Sequence, residues 1–318
     1  MNVALVAEES AGIQALRLVV ERGHRVAAVL AAEDRGDERG ATVAATAGRL
    51  GLPLWPSSLV RDPALGRRLR RERVDLLLNV HALHVVHADV LAAARIGCFN
   101  LHPGPLPGYA GLNAPSWAIL LGETSHAVTL HWMVAQVDAG PIAYVASMPI
   151  EPDDTGLSLS VACIRAGLPL LSRLLEDAAR DPAEIPRAPQ GPGPARYFGR
   201  SPPFAGRLPW GLAARQIVDL VRAADYSPLP SPWGNPVAML GGREVAVVRA
   251  SRTDAPADQA AGCVGPARAG ARLVAAADEW VAVKRVRVDG ARADPIEALP
   301  EGERFELVAA ERYSRATL

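Results

Sequence analysis

Short apolar runs alternate with amphipathic stretches through the first half of the chain. "NVALVA" at residues 2–7 is continuously apolar, "AGIQALRLVVERG" at 11–23 places apolar positions at helical spacing and stops at glycine, and "HRVAAVLA" is apolar again. These predict strand, helix and strand. "TVAATAGRLG" then predicts a helix, "VDLLLNV" (74–80) a buried strand, "ADVLAAAR" a short helix and "IGCFNLH" a further strand. Such alternation predicts an α/β fold: a Rossmann-like, mainly parallel sheet with helices on both faces, whose ligands sit beyond the carboxyl ends of the strands.

Further along, "APSWAILLGE" (114–123) reads as helix, "AVTLHWM" (127–133) as strand, "VAQVDAG" as loop and "PIAYVASMPI" as strand. Residues 155–180 read as one long amphipathic helix, followed by the Pro/Gly-rich stretch "RAPQGPGPARYFGRSPPFAGRLP". Beyond it "GLAARQIVDLVRAA" predicts a helix, and "VAMLGGREVAVVRA", "CVGPARAGARLVAAADEWVAVKRVRV" and "RFELV" predict short strands around glycine turns. The expected division is a catalytic domain at 1–183, a linker at 184–208 and a smaller C-terminal β-rich, barrel-like domain at 209–318.

Composition narrows the function. A chain of 318 residues, 49 % hydrophobic, has core enough for two domains. Basic and acidic residues balance at 34 each, and from Gly206 onward 15 basic residues face 14 acidic ones, so no basic excess steers the chain onto nucleic acid. Cys98, Cys163 and Cys263 have neither disulfide nor metal spacing and read as small buried residues. With no signal peptide and no stretch long and apolar enough for a membrane span, a cytoplasmic protein is expected. The first strand passes into its helix through "AEESAG" rather than a glycine fingerprint, so a dinucleotide is not indicated.

Candidate chemistry concentrates in "FNLHPGPLPGYAG" (99–111). Asn100 and His102 share one face of an extended segment, and Pro103, Pro105 and Pro107 stiffen the loop beyond them. A primary amide offers neutral donors to a carbonyl oxygen that becomes an oxyanion, and an imidazole moves a proton near neutral pH. Asp138, in the loop before Ala139 and Gly140, could orient the imidazole or accept a proton. Asn, His and Asp without a nucleophilic Ser or Cys suit direct attack of a substrate amine on a carbonyl.

These residues also carry a family likeness. Asn-x-His-x-x-x-Leu-Pro (Asn100, His102, Leu106, Pro107), Tyr-x-Gly (Tyr109, Gly111), the "GE…H.VTLH" strand and Asp-x-Gly at Asp138 and Gly140 resemble the 10-formyltetrahydrofolate-dependent formyltransferases. Gly104, Pro105 and Ala127 depart from the family's usual residues, and "GYAGLNAPSW" looks most like the branch associated with nonribosomal peptide synthetases. The resemblance implies an N-formyltransferase of secondary metabolism with 10-formyltetrahydrofolate as donor, no metal, and a small-molecule or carrier-bound amino acid as amine acceptor. Asn100 and protonated His102 would stabilise the oxyanion, and Asp138 would hold His102 and help remove the amine proton. It implies folate contacts at Leu83, His84, Val85, Val86, His87, Val134, Ala135, Val137 and Ala139, and acceptor contacts at Glu9, Ser10, Gly12, Tyr109, Gly111 and Asn113. Methionyl-tRNA formylation, formylation of a sugar-nucleotide amine and hydrolysis of the donor are the alternatives. The neutral second domain argues against tRNA, and an apolar second domain could support a homodimer.

His81, His84 and His87 recur at spacing three and could imitate metal ligands, but directly after a strand they read as loop histidines. His126 and His131 read as polar tips at strand ends or satisfied core imidazoles, Asp75 as a turn or cap residue, and Trp132 and Trp210 as packing.

Overall fold

The computed structural model describes residues 1–32 and 41–308. Its first part runs β1 (Asn2–Ala7), α1 (Glu9–Glu21), β2 (Arg25–Ala31), α2 (Val43–Arg49), β3 (Leu54–Pro56), α3 (Pro63–Arg71), β4 (Leu76–Val80), α4 (Ala88–Leu91) and β5 (Gly97–His102). It continues with β6 (Ala110–Gly111), α5 (Ala114–Leu120), β7 (Ser125–Trp132), β8 (Ile142–Pro149), α6 (Gly156–Arg180) and β9 (Tyr197–Phe198). One sheet of order β3-β2-β1-β4-β5-β7-β8 dominates, parallel from β3 through β5, with β7 antiparallel to β5. The mainly parallel Rossmann-like sheet is therefore present.

Period-two alternation sends neighbouring residues of β1 to opposite faces. Val3, Leu5 and Ala7 join a core with Leu16 and Val19 of α1 and Leu171 and Leu174 of α6. Ala4 and Val6 join another with Leu65 and Leu69 of α3 and Val90 of α4. Burial on both faces explains why these strands are apolar without interruption. β3 and α3 escaped the sequence reading. α3 is "PALGRRLRR", whose few apolar positions give little signal; Pro63 opens it and Asp62 caps it by accepting from the Ala64 N–H.

By length and composition α6 could cross a membrane, which corrects the expectation that no stretch could. Its Cys163, Leu171, Leu174, Leu175 and Ala178 lie instead in the first core.

The second part contains α7 (Ala214–Ala223), β10 (Val237–Leu240), β11 (Arg243–Pro256), β12 (Val264–Arg268), β13 (Ala271–Ala275), β14 (Glu279–Val288), β15 (Ala291–Ala293) and α8 (Pro295–Ala298). The strands make one antiparallel sheet, β10-β11-β14-β13-β12 with β15 on β14, over a core of Trp210, Ile217, Leu220, Val247, Val283 and Phe305. "RFELV" is not a strand; Arg304 makes only an isolated bridge with Cys263. Residues 309–318 of the expected C-terminal domain lie outside the described residues.

Two compact units interleave along the chain: Met1–Gly111 with Ala127–Met148 and Ala162–Tyr197, and Leu112–His126 with Pro149–Val161 and Phe198–Leu318. The expected domains were continuous. Contacts differ because α5 packs with α7, and the Leu157 N–H donates to the Asp225 carbonyl, so segments before residue 183 group with the C-terminal sheet.

Candidate active site

All the groups that converge on Asp138 lie in the first unit. Asn100 sits on β5 with Asn79 of β4 opposite on one side and His131 of β7 opposite on the other, and His102 faces Thr129. Sheet register alone thus brings Asn79, Asn100 and His131 together. The proline-rich loop after β5 is tied back to β7: the Thr129 hydroxyl donates to the Gly104 carbonyl at 2.8 Å and accepts from the Leu106 N–H at 3.4 Å.

Asn100 Nδ2 donates to Asp138 Oδ1 at 3.2 Å and reaches His131 Nε2 at 3.1 Å, while its Oδ1 accepts from Asn79 Nδ2 at 3.1 Å. His131 Nδ1 lies 2.8 Å from the Trp132 carbonyl, which can only accept, so that nitrogen carries the proton and Nε2 accepts from Asn100. Both amide hydrogens of Asn100 are therefore engaged.

His102 is buried, with Nε2 donating to the Tyr109 carbonyl at 2.6 Å. Its Nδ1 lies 3.6 Å from Asp138 Oδ2, beyond a direct hydrogen bond. Asp138 Oδ2 accepts instead from the Gly111 N–H at 2.8 Å. Burial pushes the His102 pKa down, with the Asp138 charge and the Tyr109 carbonyl opposing, and the net shift is downward. Burial alone would raise the Asp138 carboxyl. Close neighbours oppose it, the His131 and His102 rings and the Gly111 N–H among them, and hold the carboxyl at about 2. These shifts favour a carboxylate beside a neutral imidazole. The downward shift follows because removing an imidazolium from water costs more than the neighbouring carboxylate returns, and at rest the 3.6 Å separation is longer than a direct hold of His102 by Asp138.

Asp138 adopts φ 53°, an uncommon conformation for a residue with a side chain. Two neighbours enforce it. Gln190 Nε2 donates to the Asp138 carbonyl at 2.6 Å and the Gly140 carbonyl at 2.9 Å. A Cβ on Gly140 would fall 1.8 Å from the Trp132 carbonyl oxygen, so only glycine lets the loop close on β7.

The other expected site residues divide. Leu83, Val85, Val134 and Val137 expose apolar side chains on the loops that follow β4 and β7, whereas Ala135 and Ala139 contribute little but backbone. Val86 is buried in the second core, and His87 caps α4 by accepting from the Asp89 N–H, so neither offers a side chain to a folate ring. His84 pairs with Arg61 at 2.9 Å and His81 with Glu9 at 3.1 Å, leaving the three histidines with three different partners. Tyr109 and Gly111, expected to meet the acceptor, contribute a carbonyl to His102 and an N–H to Asp138. Gly12 is a packing residue: a Cβ there would lie 2.9 Å from that of Ala7. Ser10 is exposed in the first turn of α1, and Asn113 precedes α5 at φ 57°.

Asn79 and Gln190 were missed as site residues, and His131 was expected only as a polar tip or core imidazole. Asn79 had a signal, as the polar position inside "LLLNV", and His131 had one as the last residue of the "GE…H.VTLH" strand; Gln190 had none, because only loop closure brings it to Asp138.

A family model described as formyl transferase matches residues 2–173, and one described as formyl transferase, C-terminal domain, matches residues 203–304. Among solved structures, an N-formyltransferase from Helicobacter canadensis, in complex with folinic acid and dTDP-3-aminofucose, is similar at TM-score 0.66 and 14 % identity, over 88 % of this chain and 98 % of that one. WlaRD, a sugar 3N-formyl transferase, is similar at TM-score 0.66 and 14 % identity over 89 % of this chain and 97 % of that one. HypX from Aquifex aeolicus, in complex with tetrahydrofolic acid, is similar at TM-score 0.59 and 20 % identity over 91 % of this chain but 44 % of its own. At such identities the likeness is one of fold.

Proposed function

Because this chain belongs to the formyl transferase family, we propose that it moves the formyl group of 10-formyltetrahydrofolate onto a primary amine of a small molecule. In that reaction the amine nitrogen bonds to the formyl carbon, the bond from that carbon to the folate nitrogen breaks, and the amine proton is passed on so that tetrahydrofolate leaves neutral at that nitrogen. The observation that carries the proposal is a buried His102 whose Nδ1 lies 3.6 Å from the Asp138 carboxylate, with the Asn100 amide bonded to the same carboxylate.

Because Nε2 donates to the Tyr109 carbonyl, Nδ1 of the neutral ring has a free lone pair that can take the amine proton; the resulting imidazolium then lies 3.6 Å from a carboxylate that stabilises it. Asn100 supplies N–H groups to an oxygen that turns negative, once one is released from Asp138 or His131. The exposed apolar side chains Leu83, Val85, Val134 and Val137 fit the flat ring of a folate donor, and the solved structures with folinic acid and tetrahydrofolic acid support the same donor.

Two acceptor classes remain in play. The resemblance of "GYAGLNAPSW" to the peptide-synthetase branch supports an amino acid, free or carrier-bound. The sugar N-formyltransferases among the structural neighbours support an amino sugar at least as well. The test is tetrahydrofolate release, followed by mass spectrometry for one added formyl group, across amino acids, aminoacyl carriers, nucleotide-linked amino sugars and methionyl-tRNA. Release that requires one amine establishes the transferase and its acceptor; release without any amine overturns it in favour of a hydrolase.

A further inference from the structure

Within β4 every residue is buried, and Asn79 is the polar one among Leu76, Leu77, Leu78 and Val80. Its Nδ2 donates to Asn100 Oδ1 at 3.1 Å and to the Ala82 carbonyl at 3.3 Å, while its Oδ1 has no hydrogen-bond partner among the described residues. A buried amide with an unmatched carbonyl destabilises a strand core that an aliphatic residue would fill without that penalty. A side chain held at such a cost points to function.

We propose that Asn79 is a positioning residue for formyl transfer, holding the Asn100 amide by its oxygen while the amide nitrogen turns from Asp138 and His131 to the reacting carbonyl oxygen. The inference rests on the transferase reading above. At rest, Asp138 and His131 already fix which way Asn100 points, since its nitrogen donates to both. During reaction at least one of those bonds is given up. Asn79 is the remaining group on Asn100 that accepts nothing from it, so its bond survives the turn and keeps Oδ1 away from the negative charge.

The test uses two variants of the full chain in the tetrahydrofolate-release assay, with thermal unfolding measured alongside. Asn79→Val keeps a strand-favouring residue and removes the orphan carbonyl. Its unfolding temperature is expected to equal or exceed that of the native chain, while kcat falls about 10- to 100-fold, short of the roughly 10²- to 10³-fold that outright loss of an oxyanion donor costs, and the acceptor KM changes little. Asn79→Asp supplies the reporter. As a carboxylate it cannot donate to Asn100 Oδ1; protonated, it can. Burial raises its pKa, so above the acid limb set by His102 kcat should climb as pH falls, where the native chain shows no such rise. Retained kcat in Asn79→Val, a loss of kcat that only follows a lower unfolding temperature, or an Asn79→Asp profile with no rise toward acid above the His102 limb overturns the proposal. A native chain that releases no tetrahydrofolate with any amine overturns the transferase reading instead, and that result is read before any variant.

Discussion

Gln190 lies in a proline- and glycine-rich stretch with no element of its own, yet its side-chain amide closes the loop that carries Asp138. Gln190→Leu deletes hydrogen bonds of 2.6 and 2.9 Å to the Asp138 and Gly140 carbonyls. At about 0.5 to 1.5 kcal/mol net each, their loss amounts to about 1 to 3 kcal/mol. Holding a non-glycine residue at positive φ costs a comparable 1 to 3 kcal/mol or so, and Asp138 at φ 53° is held by this clamp. Without it the loop can relax, drawing the carboxylate from the Gly111 N–H and from Asn100. A shift of about 1 Å at a catalytic group lowers rate by roughly 10²-fold. We therefore expect kcat for tetrahydrofolate release to fall about 10- to 100-fold, while the unfolding temperature drops by only a few degrees or so. Gln190→Lys, whose ammonium can donate to both carbonyls, should recover part of the loss, and Gln190→Glu, which can donate to neither, should not. A Gln190→Leu enzyme with kcat within about twofold of native would refute the clamp.

Asn100→Ala should lower turnover by about 10²- to 10³-fold and Asp138→Ala by at least about 10²-fold, with circular dichroism unchanged. Gly140→Ala should fail to fold normally, read as lost soluble yield or a lowered unfolding temperature, because its Cβ would meet the Trp132 carbonyl at 1.8 Å. For pH, the base form of His102 is neutral and its pKa lies below the ordinary 6.5, so the acid limb of kcat/KM should fall below pH 6.5. Since the Asp138 charge raises the His102 pKa, residual activity in Asp138→Asn should show that limb shifted further toward acid. Stability follows the same signs. His102 binds its proton more readily unfolded, so stability falls as pH drops below 6.5; the share from Asp138, present above 3.8, is lost as pH falls toward 2, measurable by urea unfolding across that range.

Much of this protein could be read from local pattern. The apolar runs of β1, β2, β4 and β5, the amphipathic α1 and α6, and the glycine stops between them determined a Rossmann-like sheet, because strand and helix periodicities are local properties of consecutive side chains. The motifs around Asn100, His102, Tyr109, His131 and Asp138 carried the family likeness, and the family models over residues 2–173 and 203–304 show it. Pattern failed where an element's reason lies elsewhere in the chain. The arginine-rich α3 has too few apolar positions to announce itself, and α5 joins the C-terminal unit through contacts with a helix some hundred residues away.

At the site, only tertiary structure decided the proton positions. The charge on His102 depends on its burial and on the Tyr109 carbonyl, and that on Asp138 depends on donors from β5, β7 and the loop at Gly111. No sequence pattern encodes desolvation or the angle of a hydrogen bond, since both are set by groups that strand register and loop closure bring together from distant parts of the chain. The residue types determined which chemistry was available; the fold decided which atom holds the proton, which amide is held by which neighbour, and why glycine alone fits at position 140.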